Sequence, residues 1–337
     1  MTMKLARRAF LAAAATATLA ISLTGFAGTA HADKITLRLS TPATATDQRS
    51  VALQEVFAPA VADFAEFEGH WNASLFKQGT ELEAIARGNL DMSITSAQEL
   101  ASIFPEWSIF TAGYLHRDAD HQKKVFAADL MDPMKQKVEA ELGVKLLSVM
   151  YLGRRQINLR MSKDERTVTT PADLAGVKLR MPGTDAWQFL GSALGANPLP
   201  MAFTEVYTAL QTGAIDGQDN PLPTNRDSKF YEVTKQIVLT SHLVDLNYLA
   251  LSKKVWDQLT PEHQATVQKA ADDAAESARQ KQLALEAELV QFFKDQGLDV
   301  YEPDLEAFRA QVQKAYLESD FAKDWPEGMI EKINAIQ

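Results

Sequence analysis

Residues 177–221, VKLRMPGTDAWQFLGSALGANPLPMAFTEVYTALQTGAIDGQDNP, constrain the fold more than any other stretch of this chain. An apolar run ends in Arg180 and is stopped by Pro182 and Gly183, as a strand would be. A helical stretch carrying Trp187 follows, then a proline-bounded loop, a second amphipathic helix, and a short strand ending at Asp219 and Asn220. Strands and helices alternating at this density require an α/β layer. A guanidinium and an amide at strand ends of one such layer make a site suited to an anionic small molecule, above all a carboxylate.

The same alternation runs through the rest of the chain. Ile35, Leu37 and Leu39 alternate with polar residues and predict a half-buried strand. After a polar break at 41–47, an apolar helical pattern covers 51–64, and 70–76 reads as a strand. A helix over 81–87 closes at Gly88 and leads into a strand over 90–95. A helix over 131–142 precedes a buried strand over 144–151. The fold class is therefore α/β.

Two features point to two lobes. Residues 84–91 (AIARGNLD) and 209–216 (ALQTGAID) share one pattern: Ala, aliphatic, two variable positions, Gly, one variable position, aliphatic, Asp. Each copy is a helix end, a glycine able to take positive φ, and a strand entry. Further on, Thr260 and Pro261 make an N-cap and first-turn pair, and no breaker appears before Gly297. A helix over 261–296 would be about 54 Å long, more than a small domain is wide. It either runs along both lobes or breaks near 277–281.

The first 32 residues have the form of an export signal. Lys4, Arg7 and Arg8 precede an apolar run over 10–27, and Ala30-His31-Ala32 offers a small-x-small cleavage site. The string Arg7-Arg8-Ala9-Phe10-Leu11 resembles a twin-arginine signal, although Ala6 and Ala12 depart from it, so both export routes stay open. The alternative is an uncleaved anchor. The formal charge of −10 becomes −13 without the three leader bases, 31 basic residues against 44 acidic. That balance argues against nucleic acid and anionic membranes as partners. With no cysteine, disulfides, thiolate metal sites, cysteine nucleophiles and lipidated N-terminal cysteines are all excluded. The expected compartment is the periplasm.

Catalytic motifs are missing: there is no GxSxG, HExxH, GxxxxGK or GxGxxG. Ser74-Leu75-Phe76-Lys77 matches SxxK but lacks its SDN and KTG partners. His116, Asp118, Asp120 and His121 read as a solvated helix start capped by Asp120 rather than a metal site. The chain is not expected to be an enzyme, and no cofactor or metal is implied.

GVKLRMPG, LPMAFTEVYTALQTGAIDGQDNP, SKFYEV and NYLALSKKVW together resemble the solute-binding proteins of tripartite ATP-independent periplasmic (TRAP) transporters, of the DctP type. The resemblance covers nearly the whole chain after the leader. It implies a two-lobed periplasmic-binding-protein (flytrap) fold crossed by one long helix. The implied organisation is a signal at 1–32, lobe I from 33–153 plus 247–284, and lobe II from 154–246 plus 285–337. It also implies a small organic acid ligand, small and large membrane subunits as partners, ion-gradient-driven uptake, and a monomer.

Carried over residue by residue, Arg180 takes the place of the arginine that grips the carboxylate. Arg155 matches a second arginine, and Arg154 beside it would point to the opposite face of a regular strand. RMSKDERT lengthens the segment that follows compared with many relatives. Asn220 matches a cleft asparagine. Phe203 matches an aromatic that packs on ligand, with a core role as the alternative, and Trp187 either lines the pocket or belongs to the core. On the first lobe, Gln78, Glu81, Ser96 and Gln98 fall near variable specificity positions. Ser96, where some sialic-acid binders have glutamate, and the FKQGTE segment argue against a sialic acid ligand.

The expected mechanism is capture of the acid on the second lobe by Arg180, Arg155 and Asn220, followed by closure of the first lobe over the far end. The alternatives are a zwitterionic, ectoine-like solute held by an additional cleft carboxylate such as Glu81, and a binding protein for an ATP-driven importer or a sensor.

Overall fold

The computed structural model describes residues 34–337, so the leader reading at 1–32 lies outside the described residues. Nine strands form one mixed sheet: β1 Ile35–Ser40, β2 Ala65–His70, β3 Met92–Ser96, β4 Val144–Leu159, β5 Lys178–Met181, β6 Asn197–Pro200, β7 Gly217–Asn220, β8 Gln236–Ser252 and β9 Asp299–Tyr301. Their order is β2-β1-β3-β8-β4-β7-β5-β6, with β9 added on β8. That order is a palindrome. Exchanging β1 with β5, β2 with β6, β3 with β7 and β8 with β4 maps one half onto the other. The pairing senses obey the same exchange, since β1 is parallel to β2 and β3, and β5 to β6 and β7. Likewise β3 runs antiparallel to β8 and β7 to β4.

The repeated octapeptide is the local device behind this symmetry. Gly88 and Gly213 close their helices at φ +75° and +76°, in the left-handed region that glycine enters without a Cβ clash. Asp91 then donates its N–H to the Arg38 carbonyl (3.2 Å) and accepts the Arg38 N–H on Oδ2 (3.0 Å). Asp216 does the same with Lys178, at 2.9 Å for both bonds. Each aspartate thus stitches a new strand to the first strand of its own half.

The two halves are joined by β4 and β8, which pair antiparallel over nearly their full lengths. The sequence pattern predicts β4 only over 144–151; it continues to Leu159 because β8 supplies a partner, with register shifts at Leu146/Ser148, Tyr151/Gly153 and Arg155/Ile157. Gly153 has φ +131°, and a Cβ there would lie 2.6 Å from the Pro221 Cβ. Only glycine fits that crossing point.

Pro261–Asp295 is one unbroken helix of 35 residues, capped by the Thr260 side chain, with no interruption at 277–281. Its first half buries Val267, Ala270, Ala271, Ala274 and Ala278 in the core of the β1–β3 half. Its second half buries Leu289 and Phe293 against Leu222 and Ile237 of the other half. Alanine on the buried face lets the helix lie close to β4. The fold is two-lobed α/β, as expected.

Three local expectations need correction. The strand placed at 70–76 is β2 at Ala65–His70. Asn72 and Ala73 have positive φ, and their N–H groups bond the carbonyls of Ala43 and Thr41, turning the chain beneath the loop after β1. The helix placed at 51–64 runs from Gln48 to Val61 with a π turn at Leu53–Phe57, ahead of Pro59, which has no N–H to donate. The cap of the helix Ala119–Ala127 is Asp118, accepting from the His121 N–H at 2.8 Å, not Asp120.

Candidate ligand-binding cleft

The carboxyl ends of the parallel strands in both halves point to one cavity, of about 660 Å³ counting its opening to solvent. That volume suits a small molecule, and its position follows the rule for open α/β sheets. The first half contributes the loop after β1, Gln78, and the end of β3 at Ser96. The second half contributes Arg180 in β5 and Pro182 just after it, Phe203, Asn220 at the end of β7, and Thr224 beyond it.

Arg180 is 1% exposed. Its Nε donates to the Met201 carbonyl at 2.9 Å and its Nη2 to Gln78 Oε1 at 3.4 Å. The guanidinium lies 5.8 Å from the centre of the Phe203 ring. Among the described residues no carboxylate comes within ion-pair distance of it. Burial lowers its pKa to about 9, so the group stays charged at neutral pH in surroundings that leave the charge poorly compensated. A carboxylate is the kind of group that can compensate such a charge.

Arg155 is equally buried but already neutralised. Nε donates to Asp245 Oδ2 at 2.7 Å, and Nη1 donates to Asp219 Oδ2 at 3.2 Å and to the Asp219 carbonyl at 2.8 Å. Burial pulls its pKa down, and the fields of Asp245 and Asp219 outweigh that and raise it. Its guanidinium lies 4.3 Å from the centre of the Trp187 ring. Arg154 turns the other way and donates to the Arg117 carbonyl, as strand alternation predicts. Asp219 also meets His242 Nε2 at 3.1 Å. For its carboxylate, burial acts upward but is overcome by Arg155 and His242, which hold it below the usual range.

Asn220 accepts from Arg155 Nη1 (3.3 Å) and donates to Gln218 Oε1 (2.5 Å). Phe203 and Trp187 both line the cavity, and Trp187 is also fully packed, so pocket and core are not alternatives for it. Gln78 and Ser96 line the first-half wall, with Ser96 occupied as the N-cap of the helix Ala97–Ala101.

Glu81 and Gln98 do not line the cavity; both sit buried outside its lining. Glu81 accepts the Gly79 N–H on Oε2 (2.7 Å), while Oε1 has no partner. Burial, then Glu99, push its pKa up to about 8, so it is a neutral acid at pH 7. Both amide atoms of Gln98 are buried without a protein partner.

Sequence reasoning missed much of the first-half wall: Asp47, Arg49, Glu99 and Asn247. Arg49 is clasped by Asp47 (Nε–Oδ1 2.9 Å, Nη2–Oδ2 2.8 Å) and also donates to Asn247. The available signal was positional, since Asp47 and Glu99 follow strand ends on the side where the second-half site was found.

The family model for bacterial extracellular solute-binding protein, family 7 (DctP), matches residues 64–323. The chain is 33% identical over 249 residues to the sialic acid-binding periplasmic protein SiaP of Vibrio cholerae, covering 74% of this chain and 76% of that one. It is 69% identical to a TRAP periplasmic solute-binding protein from Roseobacter denitrificans solved with bound 3-deoxy-D-manno-oct-2-ulosonic acid (TM-score 0.90, covering 90% and 100% of the two chains). A second protein from that organism, solved with L-galactonate, is 28% identical with a TM-score of 0.80, covering 90% and 98%. These relatives are binding proteins rather than enzymes, and no helix among the described residues is long and apolar enough to cross a membrane. The chain belongs to family 7 of the bacterial extracellular solute-binding proteins, the DctP-type solute receptors of TRAP transporters.

Proposed function

We propose that this chain captures a 3-deoxy-2-ulosonic sugar acid of the 3-deoxy-D-manno-oct-2-ulosonic acid (KDO) type in the periplasm. It then delivers that acid, as a monomer, to small and large TRAP membrane subunits for ion-gradient-driven uptake. The observation that carries the reading is Arg180: a buried guanidinium at a strand end, facing a small-molecule cavity and lacking a carboxylate partner among the described residues. A carboxylate paired with it makes charge-assisted, bidentate hydrogen bonds in a site shielded from water. The 69% identity to a protein solved with KDO supports the choice among carboxylates.

The palindromic sheet supports lobes of 33–153 plus 247–284 and 154–246 plus 285–337, with the paired strands β4 and β8 running from one to the other. Arg180 then pairs with the carboxylate end from the second lobe, with Arg155 and Asn220 placed to add hydrogen bonds rather than net charge, and Phe203 and Trp187 beside it. Gln78 and Ser96 stand on the first lobe, opposite.

Thermal-shift and calorimetric titration of the exported form with KDO, N-acetylneuraminate and simple carboxylates test this reading. Micromolar or tighter binding of KDO, raising the melting temperature by mass action, is the expected result. Binding of N-acetylneuraminate with none of KDO would overturn it.

A further inference from the structure

The charges lining the cavity do not cancel in pairs. Arg49 is taken by Asp47, Asp227 by Arg226 (2.8 Å), and Arg155 by Asp219 and Asp245. One basic and one acidic side chain remain: Arg180 in β5, and Glu99 in the helix that follows β3, in opposite halves of the sheet. Glu99 has no cation within ion-pair distance among the described residues.

The Glu99 carboxylate is held in a fixed orientation. Oε2 accepts from Thr95 Oγ1 (2.9 Å) and from the Ser96 N–H (2.8 Å), completing a capping box with Ser96. Oε1 accepts nothing among the described residues, and it is not a sealed, unpartnered atom of the kind found at Glu81. A lining carboxylate with one oxygen tied down offers a single acceptor to whatever fills the cavity. Burial raises its pKa, so the surroundings of this wall already disfavour negative charge.

We propose that Glu99 sets specificity in this cleft: its free Oε1 hydrogen-bonds a ligand hydroxyl from the first-half wall, and the same wall, where negative charge is disfavoured, rejects a second carboxylate. The cleft then selects polyhydroxylated monocarboxylates over dicarboxylates of the same length. The selection has an attractive element, a hydrogen-bond acceptor left unpaired by any ligand without a hydroxyl, and a repulsive one. It rests on the sugar-acid reading for the class of ligand, and adds which end of that ligand is read and by which residue.

Calorimetric titration of wild type, Glu99→Gln and Glu99→Ala with KDO, L-galactonate and galactarate tests it. Galactarate has the carbon count of galactonate and a carboxylate at both ends. Glutamine keeps the cap, because its amide oxygen can accept the two bonds from Thr95 and Ser96, and it turns an N–H toward the cavity where Oε1 stood. Wild type is expected to prefer galactonate to galactarate at least 100-fold. In Glu99→Gln, galactarate should gain at least 10-fold while galactonate and KDO weaken 3- to 10-fold. Glu99→Ala, checked for folding by thermal melting, should lose the discrimination without gaining the donor.

A galactonate-to-galactarate ratio unchanged within twofold in Glu99→Gln overturns the proposal, as does wild type that binds galactarate as well as galactonate. Binding of galactonate without KDO overturns the ulosonic-acid reading instead, and the Glu99 ratio is then read on galactonate. Binding of none of the three overturns both.

Discussion

Gln78 Oε1 lies 3.4 Å from Arg180 Nη2 and 3.0 Å from the Phe203 N–H, so one first-half side chain bonds the guanidinium and the aromatic of the second half together. These bonds span the cleft. Gln78→Ala removes both. At about 0.5–1.5 kcal/mol net for each bond, ligand affinity should weaken about 5- to 160-fold, mostly through faster dissociation. Stopped-flow dissociation rates check this; an unchanged off-rate counts against a closing role for Gln78.

The two cleft arginines should fail differently. Asp245→Ala leaves Arg155 buried with half its compensation gone, and removing one partner of a buried pair costs about 3–5 kcal/mol. Arg180→Ala breaks no ion pair, so it should leave stability within about 1 kcal/mol of wild type while removing ligand binding. Urea unfolding of the two variants, without ligand, separates them.

Two buried groups give stability opposite pH limbs. His116 stacks on Phe110 with both ring nitrogens unpartnered among the described residues; burial, then His121, lower its pKa to about 3 from 6.5. The unfolded chain therefore takes up a proton below pH 6.5 that the folded chain refuses until about 3, and stability falls as the pH drops through that window. The slope from this one group reaches about 1.4 kcal/mol per pH unit. Glu81, raised from 4.5 to about 8, runs the other way: its contribution is full below 4.5 and is lost as pH rises toward 8. Denaturant unfolding at pH 4.5, 6 and 8 should show a shallower acid limb in His116→Phe and a shallower alkaline one in Glu81→Gln.

The long helix depends on small residues where it lies against the sheet. Ala274 is fully buried, and Ala274→Leu overpacks that contact at a cost of about 1–3 kcal/mol, read by urea unfolding.

What the sequence made legible was local. Caps, glycines at helix ends and alternation placed β1, β5, β7, the long helix and the Arg180–Asn220 side of the cleft, because each signal and its consequence lie within a few residues. The repeat around Gly88 and Gly213 carried the two-lobe symmetry for the same reason. Long-range pairing was not legible. β4 runs on through Gly153-Arg154-Arg155 because β8 is its partner, and no periodicity in 152–159 announces that. The first-half wall escaped because Asp47, Arg49, Glu99 and Asn247 come from three separate segments that only the sheet brings together. Glu81 was the carboxylate expected to face a ligand; the helix Glu81–Ala86 buries it, and Glu99 takes the lining position.

The central claim is that Arg180 holds the ligand's carboxylate. Calorimetric titration of KDO into wild type, Arg180→Lys and Arg180→Ala tests it most directly. Lysine keeps the charge but not the planar fork, so it should bind measurably and weakly, while alanine should weaken binding at least about 100-fold, roughly 2.8 kcal/mol. A folded Arg180→Ala protein that binds KDO as tightly as wild type would contradict the account.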